Sequence, residues 1–187
     1  MCGIGQIFSL SVSESARGGR TVAYLVERGR LESFASEDLA AAAASLLGRA
    51  VRRLETTARA ALDGGDVDGA YVAAYDAYRM TAEALLARQG LRATGGEGSH
   101  MTVEDAVSAQ FAADIPAFAK PVFERFRRTS HSAQYFDPDA APITAADASW
   151  ALEKAGDALS GARSVLAGAP PRQFGEPGQA PAGGSGG

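Results

Sequence analysis

The sequence predicts an all-α protein, and three observations carry that prediction. Aromatic residues make up only 7% of the chain while hydrophobic residues make up 46%, most of them Ala, Leu and Val, a mixture that fills helix interfaces better than sheet faces. Alanines and leucines recur at steps of three and four, the period of one helix face. The periodic stretches are divided by short Gly-, Asp- or Pro-containing breaks, so neighbouring helices are expected to pack antiparallel. With 187 residues there is material for one core of ordinary domain size.

The elements follow in order. Residues 1–35 form an N-terminal arm, in which Thr21 to Phe34 is expected to make a short helix and an extended piece that docks on the body through Val22, Leu25, Val26 and Leu31. The first long helix should start at Ser36, an N-cap residue followed by Glu37 and Asp38 at the positive end of the dipole. Its buried stripe is Leu39, Ala43, Leu46, Ala50, Leu54, Ala58 and Ala61, and "DGGD" at Asp63 to Asp66 ends it. A second helix spans about Val67 to Gln89, with Tyr71, Tyr75, Tyr78, Ala82 and Leu85 on its core face. Gly90 stops it, and "ATGGEGS" from Ala93 reads as a flexible loop. "GSHM" at Gly98 to Met101 is spelled like a tag-cleavage scar but lies mid-chain and is read as native.

Thr102 and Asp105 have capping-box spacing and are expected to open a short helix to about Ala112. Pro116 and Pro121 suit a loop and the first turn of the next helix. That helix is broken by "FDPDAAP" at Phe136 to Pro142, after which Thr144 and Asp147 cap a last helix with the stripe Ala148, Leu152, Ala155, Leu159, Ala162 and Leu166. Residues 36–167 are thus the helical body. Residues 168–187 are Gly, Pro, Ala and Gln with almost no bulky side chain, and read as a disordered tail.

Charge and cysteine usage exclude some function classes. A net charge of −4 and a pI near 5.2 argue against coating nucleic acid non-specifically, a mode that needs broad phosphate neutralisation. The single Cys2 allows no internal disulfide, and no Cys/His cluster has zinc spacing. No metal and no cofactor is implied. No run reaches the roughly 18–20 apolar residues of a membrane span, and the first residues do not read as a signal peptide, so a soluble cytoplasmic protein is expected. "MCGI" resembles the start of class II glutamine amidotransferases, but the linker-like "SLSVSESARGGR" that follows ends that resemblance.

The richest polar stretch is "ERFRRTSHSAQYFDPD", Glu124 to Asp139. On a wheel of about 100° per residue with Arg128 at zero, Arg125 falls near 60°, Tyr135 near −20°, Glu124 near −40° and His131 near −60°. Val122, Phe123, Phe126 and Ala133 gather opposite. One reading is the solvated face that every amphipathic helix must have. The other is a site: arginines give fixed forks for phosphate, histidine exchanges protons near neutral pH, and tyrosine adds a hydroxyl.

A helix pair carrying "AYVAAYDAYRMTAEALLARQGLR" (Ala70 to Arg92), then a glycine loop, "SHMTVEDAV" (Ser99 to Val107), an arginine-rich helix ending in "AQYFDPD" and a capped last helix resembles the HEPN superfamily, in particular its small actinobacterial members. The resemblance covers about Ser36 to Leu166. It implies an up-and-down bundle of four to five helices, a homodimer with the polar motif facing the partner, and, in active members, a metal-independent ribonuclease site of an arginine and a histidine four to six residues apart. Arg125 and His131 have five residues between them. Alignment on Tyr135 gives a second register, with Arg128 as the arginine, Thr129 at the polar position and Ala133 where the histidine would stand. The resemblance therefore implies Arg125, Arg128 and His131 as candidate catalytic residues and Arg127, Arg128 and Tyr135 as candidate RNA- or nucleotide-binding residues, with a nucleotidyltransferase-type antitoxin as a further partner. Three readings stay open: a binding or regulatory protein, an endoribonuclease of a toxin or defence system, and a structural helical partner. His100 reads as an exposed or capping residue, and Trp150 lies off the stripe of its helix.

Overall fold

A computed structural model describes residues 18–95, 98–134 and 141–175. Six helices and a two-stranded ribbon make up the described fold, which is the expected all-α bundle. Helix α1 (Gly19–Glu27) turns through Gly29, whose φ of 63° needs a residue without Cβ, into strand β1 (Leu31–Ser33). β1 pairs antiparallel with β2 (Leu91–Ala93), Leu31 opposite Ala93. The arm thus docks as a helix and an extended piece, with Val22, Leu25 and Leu31 in the core. Ala93, read from sequence as the start of a loop, closes this ribbon.

Helix α2 is α-helical over Leu39–Arg52, widens to a π-helical segment over Arg53–Ala58 and returns to α-helix over Arg59–Asp63. The expected start at Ser36 is corrected: Asp38 is the cap, its carboxylate accepting from the Ala41 amide at 2.8 Å, while the Ser36 hydroxyl accepts from the Asp38 amide. A carboxylate at the cap is favoured twice, as acceptor and as charge at the positive end of the dipole. The π segment keeps both Leu54 and Ala58 buried although they lie on the continuation of a straight stripe.

Helix α3 (Val67–Arg88) begins at Asp66, which accepts from the Gly69 amide at 2.9 Å. It is the centre of the fold: α2, α4, α5 and α6 all contact it. Fourteen of its 22 residues are buried, so it is wrapped on most sides rather than on one stripe, and its alanines let neighbouring backbones approach. Gly90 ends it with φ 72°.

Helix α4 runs over Ser99–Phe111 with Gly98 at the cap position, so the expected Thr102–Asp105 capping box is a second correction. The Thr102 hydroxyl bonds back to the Gly98 carbonyl at 3.2 Å, and Asp105 pairs with Lys120 at 2.7 Å. Once the helix starts a turn earlier, Thr102 sits inside it, where a hydroxyl satisfies itself on the preceding carbonyl turn. A 3₁₀ turn at Pro116–Phe118 leads to α5 (Lys120–Gln134), with Pro121 in its first turn. Helix α6 (Ala145–Gly168) carries the expected capping box: the Thr144 hydroxyl accepts from the Asp147 amide at 3.2 Å, and the Thr144 amide donates to the Asp147 carboxylate at 3.1 Å. Gly161 lets α6 approach the 3₁₀ turn, since a Cβ there would stand 2.8 Å from Ile115 Cγ2.

The start of the tail is also corrected. Ala169 to Gly175 is placed against the bundle: the Phe174 amide donates to the Gln89 carbonyl at 2.9 Å and its ring packs on the core. One aromatic ring is enough apolar surface to seat a short segment over the end of α3. The expectation for residues 176–187 lies outside the described residues.

Candidate functional site

The rotation of α5 is fixed by its apolar side. Phe126 is fully buried and Phe123 nearly so, and the Phe126 ring lies 4.4 Å from Tyr78 and 5.0 Å from Trp150, centroid to centroid. With those rings against α3 and α6, the opposite face of α5 has to look outward.

The five candidate residues then part company. Arg125 is held from two sides: it donates to Asp147 Oδ1 at 3.0 Å, and its guanidinium lies over the Trp150 ring at 3.8 Å. Trp150 rests in turn on Phe126 and Tyr71. Arg125 is therefore an oriented cation whose charge is partly spent on a carboxylate. Arg127 points to the other flank, towards α4, where its Nε lies 3.7 Å from Glu104 Oε2. Arg128 and His131, between these flanks, are exposed. Tyr135 lies outside the described residues.

Thus α5 brings Arg125, Arg128 and His131 to one outward surface, while Arg127 belongs to a second polar group that the sequence did not reveal. That group is built on α3 and α4. Tyr71, Tyr75 and Tyr78 are buried, as expected, and their hydroxyls reach the Arg125 carbonyl at 3.3 Å, His100 Nδ1 at 2.9 Å and the Ala117 carbonyl at 2.7 Å. Burial pushes the Tyr75 phenol up to about 12 and the Tyr78 phenol higher still. His100, exposed as expected, is thereby tied to the core through Tyr75; burial of its ring, with Arg79 nearby, holds its pKa below the usual value. Glu104, one turn further along α4, is buried and its carboxyl is pushed up by desolvation, against the opposing pull of Arg127. Asp76 pairs with Arg53 of the π-helical segment at 3.7 Å, and Glu83 pairs with Arg79 one turn before it on α3.

The signal for this group was present in the sequence as Asp76, Arg79 and Glu83 in the middle of a largely apolar helix and as His100 and Glu104 one turn apart. Only the packing of α3, α4 and α5 makes them neighbours. A groove of about 380 Å³ opens beside this group, between Phe34, α3 and β2, with Glu83 in its lining and no α5 residue. Among the described residues no group of three or more His, Cys, Asp or Glu side chains is arranged to hold a metal ion, and no helix is long and apolar enough to cross a membrane. Compared with protein-family models, curated proteins and solved structures, the chain matches none.

Proposed function

We propose that this chain is a HEPN-type binding or regulatory protein that works as a homodimer and contacts RNA or nucleotide phosphate through the outward face of α5. One observation supports this reading above the others. Arg125 is fixed between Asp147 and Trp150 on the face that also carries exposed Arg128 and His131. Orienting a guanidinium beforehand removes part of the entropy cost of gripping a phosphate, and a second arginine one turn away extends the grip to a backbone. The same Arg–Trp contact also adds packing between α5 and α6, so the binding test below is what separates the two roles.

A second reading, a metal-independent endoribonuclease, is favoured by the five-residue interval between oriented Arg125 and exposed His131. In it the arginine offsets charge developing on the phosphate, and the histidine moves the proton of the attacking ribose 2′-hydroxyl. A nucleotidyltransferase-type antitoxin is the partner this reading would pair with.

The test is binding of a labelled single-stranded 12-mer RNA, in EDTA, across a salt series. Arg128→Ala is expected to weaken binding about tenfold and to lower the log–log salt slope by roughly 0.7 for each phosphate no longer neutralised. Cleavage of that RNA by the wild-type chain and not by His131→Ala selects the enzyme reading. Unchanged affinity and slope in an Arg128→Ala/His131→Ala double variant refutes both readings of this face, and absence of RNA binding by the wild-type chain leaves a structural partner protein.

A further inference from the structure

Two arginines of α5 meet carboxylates, and the two contacts differ in what a ligand can do to them. Glu104, the partner of Arg127, is nearly enclosed, its side chain 9% exposed, so no outside anion can take its place. Asp147, the partner of Arg125, sits at the rim: the Arg125 and Asp147 side chains are 40% and 34% exposed. The Tyr71 hydroxyl beneath this rim feels the charges of Arg125, Asp147 and Arg128 together. The open pair therefore stands beside the exposed arginine of the outward face.

The two oxygens of Asp147 have separate tasks. Oδ2 accepts from the Thr144 amide at 3.1 Å and from the Thr144 hydroxyl at 2.6 Å, closing the cap of α6. Oδ1 accepts from Arg125 at 3.0 Å. These bonds hold the carboxyl below its ordinary 3.8, so it is an anion at neutral pH. The guanidinium thus grips its carboxylate by one oxygen, whereas the forked contact these groups favour uses two. Its plane is kept by the stack on the Trp150 ring, which lies apart from Asp147. An exposed ion pair of this kind contributes little, and a phosphate, with more than one oxygen to offer the fork, is the stronger partner.

We propose that Asp147 is a built-in competitor for RNA phosphate: it occupies the place on Arg125 that a backbone phosphate takes, and the outward face gains its second arginine contact only when Oδ1 is displaced. Oδ2 stays on Thr144, so the exchange leaves α6 capped. Arg128 makes the first contact, Arg125 joins by exchange, and Asp147 sets the affinity of the whole face. The proposal rests on the RNA-binding reading above.

The experiment measures binding of the single-stranded 12-mer RNA, in EDTA and across a salt series, by the wild-type chain and three variants, with thermal melts to verify folding. Asp147→Asn keeps an oxygen for the Thr144 cap and removes the charge on Arg125. It should tighten binding about three- to fivefold, the worth of an exposed ion pair, and steepen the log–log salt slope by roughly 0.7, one further phosphate neutralised. Glu124→Gln removes an exposed charge from α5 without touching the Arg125 contact, and Thr144→Ala removes the cap while keeping the carboxylate. Both should leave the slope as in the wild type. An unchanged slope or an affinity no tighter in Asp147→Asn, or the same change of slope in Glu124→Gln or Thr144→Ala, overturns the assignment and leaves the Arg128 result intact. Absence of binding by both the wild-type chain and Asp147→Asn overturns it together with the RNA-binding reading.

Discussion

Replacing Phe126 by alanine should unseat α5 more than any change on its polar face. The Phe126 side chain has no exposure and its ring meets four others, with centroids 4.4 Å from Tyr78, 5.0 Å from Trp150, 5.7 Å from Tyr75 and 5.8 Å from Tyr71. Those neighbours sit on α3 and α6, long helices that cannot close in without moving the rest of the bundle, so the cavity stays largely open. Phe→Ala losses at such sites run about 3–5 kcal/mol. For a chain of this size, at about 2–4 °C per kcal/mol, the melting temperature should fall by roughly 6–20 °C. Trp150 is the chain's only tryptophan, so its fluorescence reports this seat directly during urea unfolding, with far-UV circular dichroism following the bundle. Phe126→Leu, which keeps most of the volume, should cost about 1 kcal/mol. A loss below about 1 kcal/mol for Phe126→Ala, with Trp150 emission unchanged, would refute the claim that this ring fixes the rotation of α5.

Two further predictions concern charge. Thr144→Ala removes the cap of α6 and should cost about 1 kcal/mol. Hydrogen bonds from the Thr144 hydroxyl and amide, then Arg125, hold the Asp147 carboxyl below its ordinary 3.8. A depressed folded pKa stabilises fully above the unfolded value and is lost as pH falls through the folded one. The difference between wild type and Thr144→Ala should therefore narrow as pH falls below 3.8 and through the depressed folded value; thermal melts showing a constant difference would contradict the assignment. At Glu104 the sign is reversed. Its raised folded pKa makes ionisation a cost to the folded state, offset by Arg127, so Arg127→Ala should destabilise at pH 7 by about 1–3 kcal/mol. That penalty should fade as pH drops through the raised pKa, and Glu104→Gln in the same chain should restore most of it. Additive melting shifts for the two substitutions would show that the pair does not interact.

The sequence made legible what depends on one helix at a time. The stripes of α2 and α6, the Thr144–Asp147 box, the stop at Gly90 and the burial of Tyr71, Tyr75 and Tyr78 all follow from spacings within a few residues. Competing caps were harder: Ser36 and Asp38 are both good acceptors, and the choice fell to the carboxylate. Thr102 and Asp105 had box spacing, yet Gly98 allowed α4 to start earlier and drew both side chains to other partners. Least legible were pairings set by which helices meet. Arg125 and Arg127 are two residues apart and look equivalent in the sequence, but the helix turns them to opposite flanks. There α6 supplies Asp147 and Trp150 for one and α4 supplies Glu104 for the other. The partner of Tyr75 lies 25 residues away, beyond any local period. A polar face on one helix therefore gives the inventory of a site, while the orientation of each member is decided by the neighbours. Here Arg128 and His131 are the exposed α5 groups to test first, and His100 meets Tyr75 from a helix whose sequence pointed only to a cap.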